Sequence, residues 1–110
     1  MIITVLRSRL NPHTQEEYRR CAARMSELAR AMPGYLSHKG YTAEDGERVT
    51  IVEFAGAADL RAWATHPEHV AAKRQGRESF FIEYRVQICD VLRDSADRGH
   101  GAAPEQPAQG

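Results

Sequence analysis

The stretch Trp63-Ala64-Thr65-His66-Pro67-Glu68-His69 holds the side chains best suited to acting on an aromatic molecule. His66 and His69 stand three residues apart, the spacing that sets two side chains on one side of a helix. Imidazole titrates near neutrality, so either histidine can take a proton from a phenol. With a third ligand such as His38 or Glu68 the pair would resemble a metal site. Without one, it is equally natural as a capped, solvated helix start, and no metal is expected. Trp63, the only tryptophan, is either a core anchor or the wall of an aromatic-ligand pocket, and the two roles are compatible. His38 lies between Tyr35 and Tyr41, but strand alternation alone does not send it into a pocket. Nothing basic and conspicuous marks Cys21 or Cys89 as a low-pKa nucleophile.

Glycine-rich phosphate loops and dinucleotide fingerprints are missing from the sequence, which argues against a bound nicotinamide or flavin. Chemistry without a cofactor is still open. An electron-rich phenol or enol reacts with dioxygen once deprotonated, and the protein then supplies a base, a dry pocket and hydrogen bonds to the developing anion.

The chain's 110 residues suffice for one domain. Fifteen basic residues against fifteen acidic ones leave no positive field for nucleic acid. No apolar run approaches the ~20 residues of a membrane-spanning helix. Met1-Ile2-Ile3-Thr4-Val5 lacks the basic segment that opens a signal peptide. Two cysteines make no disulfide framework, and a reducing, cytoplasmic setting is expected.

The elements that must position these residues follow from periodicity. Ile2 to Arg9 reads as a strand, and Asn11-Pro12-His13-Thr14 as a turn in which Asn11 or Thr14 caps a helix. Tyr18, Cys21, Ala22, Met25, Leu28, Ala29 and Met32 mark one face of an amphipathic helix over Glu16 to Met32, which Pro33-Gly34 ends. Tyr35 to Thr42 and Arg48 to Phe54 form a hairpin. Gly56 to Ala64 is a short helix with Leu60 and Trp63 facing inward. Pro67 at a first helical position makes His66 the cap of another helix, running to about Gly76. Ile82 to Leu92 alternates Ile82, Tyr84, Val86 and Ile88 with polar residues and is the last strand. Residues 1–93 thus form the domain. Residues 94–110 hold no large apolar side chain and are expected to be a disordered tail.

The order β-α-β-β-α-β predicts an α+β, ferredoxin-like antiparallel sheet with helices on one face. Alternation sends Thr4, Leu6, Ser8, Thr50, Val52 and Phe54 to the helix side and Ile3, Val5, Val49 and Ile51 to the other. Apolar residues on both faces call for a homodimer that covers the open one. Arg7 shares the open face and is expected to pair with Glu53 or Glu83. The candidate pocket is lined by Leu6, Ser8, Thr50, Phe54 and Trp63, with His66 or His69 at its mouth as proton acceptor and Lys73 as the other candidate base.

VLRSRL, AMPGYLSHKGY, DGERVTIVEF and LRAWATHPEHVAAKRQG, in this order and spacing, resemble the antibiotic biosynthesis monooxygenase family across roughly residues 2 to 92. The resemblance implies a dimeric α+β barrel in which two sheets pack face to face. It also implies a ligand site between sheet and helices. Members include cofactor-independent monooxygenases of aromatic anthrones or quinols, and heme-degrading monooxygenases. The heme branch implies an asparagine, a tryptophan and an axial histidine at positions that here are Ser8, Trp63 and Lys73. The anthrone branch implies an asparagine and a tryptophan at what are here Thr50 and Phe54. Neither catalytic set carries over whole. The leading expectation is a cofactor-independent monooxygenase of a small aromatic, polyketide-like or quinol substrate. The alternatives are a heme-binding or heme-degrading protein with other ligands, and a non-catalytic binding module.

Overall fold

A computed structural model describes residues 1–97 and Gly99. Most of the tail expected from residue 94 onward lies outside the described residues. The elements are β1 (Ile2–Leu10), a 3₁₀ turn (Pro12–Thr14), α1 (Gln15–Arg30), β2 (Tyr35–Thr42), β3 (Arg48–Phe54), α2 (Ala57–Ala64), α3 (Pro67–Gln75), a π turn (Gly76–Phe80) and β4 (Phe81–Asp90). β2 and β3 match their expected limits, and the π turn is the one element that periodicity does not announce. Among the described residues no helix is long and apolar enough to cross a membrane.

The four strands are all antiparallel in the order β2-β3-β1-β4. Residues directly opposite one another share a face. Leu6 stands opposite Thr50 and Val86, and Thr4 opposite Val52 and Ile88, on the helix side. Val5 stands opposite Ile51 on the other side, where Ile3 and Val49 complete an apolar centre left half-exposed in the single chain. This is the expected α+β, ferredoxin-like sheet.

Both edge strands break the alternation once. In β2, Tyr35 pairs with Phe54 and Ser37 with Glu53, so Leu36 is an extra residue. In β4, Glu83 pairs with Arg9 and Phe81 with Leu10, which makes Ile82 the extra residue. Each bulge resets the parity. Tyr35 and His38 therefore both face the helices, as do Phe81 and Tyr84. Ile82, expected to share a face with Tyr84, is instead the bulge residue and stands 67% exposed.

The core gathers Ala29, Phe54 and Trp63, with Met25, Leu28, Met32, Tyr35, Val52 and Leu60 packed around them. Phe54 is wholly buried. Gly34 turns the chain from α1 into β2 at φ +79°, and a Cβ there would lie 2.2 Å from Cγ of Asp59 in α2. Only glycine meets both conditions. Asn11 caps the 3₁₀ turn, its Oδ1 accepting from the His13 amide at 2.9 Å, and Thr14 takes the N-cap position of α1 without a side-chain cap bond. The Thr14 hydroxyl donates instead to the Ser79 carbonyl. Arg7 pairs with Glu47 at 3.2 Å, not with the expected Glu53 or Glu83. The β2–β3 loop brings Glu47 back over the sheet, while Glu83 is taken by Arg9 and Glu53 by Ser37.

Candidate active site

Between the sheet and the helices lies a cavity with two lobes, of about 290 and 300 Å³. One runs beneath α1 towards β2, the other beneath α2 and α3 towards β4. Leu6, Thr50, Val52, Trp63, His69, Lys73 and Phe81 line both, so one wall is common to the two. The lining is mostly apolar, and the polar groups are few and placed.

The common wall is fixed by a local arrangement at the α2–α3 junction. The His69 ring lies flat on Trp63, with centroids 4.1 Å apart and planes 12° from parallel. Its Nδ1 stands 2.9 Å from the Trp63 carbonyl oxygen. A carbonyl only accepts, so Nδ1 carries the proton and Nε2 keeps its lone pair. Burial pulls the His69 pKa below the ordinary imidazole value, and the charges of Lys73 and His66 add to this against the opposing Trp63 hydrogen bond. The imidazole is therefore neutral at physiological pH. His66 has a different task. As the α3 cap its Nδ1 accepts the Glu68 amide at 3.2 Å, and it lines neither lobe. Among the described residues no three histidine, cysteine or acidic side chains converge as a metal site would require.

The β2 bulge builds a second polar feature. His38 Nδ1 is 2.6 Å from the Tyr35 hydroxyl, and its Nε2 is 3.0 Å from the Ser26 hydroxyl on α1. Burial, aided by Arg30, lowers the His38 pKa. This chain leads from the core, where Tyr35 packs on Phe54, to the cavity wall at Ser26 and His38. The sequence reading leaves His38 unplaced because strict alternation separates it from Tyr35. Arg48 is the other residue it passes over, although its parity with Thr50 and Val52 was the available signal. The half-buried Arg48 lines the first lobe with its guanidinium 5.8 Å from the Tyr18 ring centre.

Of the residues expected to line the pocket, Leu6, Thr50 and Trp63 do so, and His69 joins them. Phe54 lies behind the wall as the most buried side chain of the core. Ser8 is 4% exposed and borders a separate cleft with Arg7, Glu47 and Tyr84.

Residues 1–75 match the sequence pattern of the family described as "Antibiotic biosynthesis monooxygenase". The chain belongs to the antibiotic biosynthesis monooxygenase family. It is 30% identical over 89 residues to the Bacillus subtilis protein YqjZ, covering 81% of this chain and 78% of that one. Its fold is similar to that of Rv0793 from Mycobacterium tuberculosis, with a TM-score of 0.76 at 20% identity over 86% of this chain and 98% of that one. It is also similar to SnoaB, a cofactor-independent oxygenase from Streptomyces nogalater, with a TM-score of 0.72 at 14% identity over 87% and 97% of the two chains. At these identities the solved structures speak to the fold. Within this family member, Lys73 holds the position that the resemblance gives to an axial heme ligand. Its ammonium donates to the Ala64 carbonyl at 2.7 Å, and Ser8 stands outside the cavity. The residues present do not fit that heme ligand set.

Proposed function

We propose that this family member is a cofactor-independent monooxygenase of an electron-rich aromatic substrate, a polyketide-like anthrone or a quinol, bound in the two-lobed cavity. The observation that carries the reading is His69: a neutral imidazole in the cavity wall, its Nδ1 proton held by a backbone carbonyl and its Nε2 free to accept. Nε2 takes the substrate's acidic proton, and Trp63 and Phe81 offer faces for the flat ring system. The hydroxyls of Thr50 and Ser26 are available to the anion that forms. The carbanion or phenolate supplies the electrons to dioxygen. One oxygen atom stays on the substrate as a carbonyl and the other leaves as water, so the substrate is the only reductant.

The test is oxygen uptake by the purified protein with an anthrone or a naphthoquinol and no added flavin, heme or metal. With ¹⁸O₂, one labelled atom is expected in the product. Rates equal to the spontaneous background with both substrate classes would overturn the assignment.

A further inference from the structure

Arg48 is the guanidinium of the first lobe. Among the described residues it has no ion pair, and its buried Nε has no hydrogen-bond partner. The arginines of β1, on the opposite face of the sheet, are answered, Arg7 by Glu47 and Arg9 by Asp45 and Glu83. A guanidinium half-withdrawn from water against an aromatic ring, with an N–H left unsatisfied, is costly unless an acceptor arrives. The space for one is present. Gly40 lies beside it on β2, where even a Cβ would come within 3.4 Å of Arg48 Nη2 and 3.9 Å of Thr50 Oγ1. Arg48 and Tyr18 also line a groove that opens outward between α1 and the β2–β3 loop, so the guanidinium sits where the first lobe meets solvent.

We infer that Arg48 anchors a carboxylate carried by the aromatic ligand, which places the substrate class among aromatic hydroxy acids. This rests on the aromatic-cavity reading above and adds the ligand's second functional group. The planar fork of a guanidinium matches the two oxygens of a carboxylate. The ring system then lies inward over the apolar lining, with its hydroxyl end directed to the wall that holds His69.

Calorimetric titration of the full chain with a hydroxynaphthoate and with the matching naphthol, which lacks the carboxylate, tests this directly. The wild type is expected to favour the acid by about ten- to a hundredfold, the worth of a hydrogen-bonded charge pair. Arg48→Met should bring the two probes to equal affinity, and Arg48→Lys should keep part of the preference. A preference that survives in Arg48→Met overturns the assignment. So does a wild type that binds both probes equally, and that outcome leaves the aromatic cavity standing. Failure of the wild type to bind either probe overturns the assignment together with the cavity reading beneath it.

Discussion

Replacing His69 by alanine removes a ring stacked on Trp63 and an N–H bound to the Trp63 carbonyl. The stacking is worth about 0.5–1.5 kcal/mol and the hydrogen bond a similar amount. The variant should therefore lose roughly 1–3 kcal/mol of stability, or about 5–20 °C in Tm for a domain of this size. It should still fold. The effect on rate is far larger if His69 is the base, since general-base catalysis contributes ~10²–10⁴-fold, about 3–5 kcal/mol of barrier. Oxygen uptake measured from pH 5 to 9 separates the two effects. Burial holds the His69 pKa below the ordinary imidazole value, so the wild-type rate should stay level through neutrality and fall only on the acid side. In His69→Ala that acid limb should vanish, and the residual rate should climb with pH as the substrate ionises unaided. His66→Ala should keep the wild-type rate at neutral pH and retain an acid limb, because His66 caps α3 and lines neither lobe. A folded His69→Ala variant with the wild-type rate and an unchanged acid limb would refute the assignment of the base.

Other outcomes can be checked without turnover. Gly34→Ala should cost about 1–3 kcal/mol in chemical denaturation, because it forces alanine to φ +79° and a Cβ onto Asp59. Stability should fall as pH drops below about 6.5: the unfolded chain then binds protons that the lowered pKa values of His38 and His69 deny the folded one. The double variant His38→Gln with His69→Gln should flatten that slope. Light scattering should report a homodimer of twice the 12.4 kDa chain mass, and Ile51→Asp, in the centre of the open sheet face, should give the monomer. Truncation after Arg93 should leave Tm nearly unchanged, since among the described residues the last backbone hydrogen bond to the body is Val91 N–H to the Met1 carbonyl and Leu92 is 92% exposed.

Much of this molecule can be read from side-chain periodicity. The helix face of α1, the β2–β3 hairpin and the His66-Pro67 helix start all follow from local rules that tertiary packing does not override. The alternation of β1 and β3, inner strands paired on both sides, correctly sends Leu6 and Thr50 to the cavity. Reach is harder to read. Ser8 has the right parity but is buried and borders a separate cleft, and Phe54 has the right parity but is buried in the core with Ala29 and Trp63. The roles of His66 and His69 depend on whether a ring nitrogen meets an amide or a carbonyl, which three-residue spacing does not encode. Arg48 shares the parity of Thr50 and Val52, but its unpartnered Nε is seen only in space.

The extra residues at Leu36 and Ile82 have a consequence for how this sheet tolerates change. A strand without them offers its neighbours one side chain in two, whereas here each edge strand presents a pair of aromatic or imidazole rings three positions apart on one side. Deleting Leu36 would regularise β2 and not rewire it. Tyr35 and His38 would then stand two positions apart, still opposite Phe54 and Val52 on the helix side, with the hydroxyl kept on the side of Nδ1. Each bulge is thus a point where the chain can lose one codon at little cost to side-chain connectivity: the ladder closes up, and the rings that reach the cavity keep their side of the sheet.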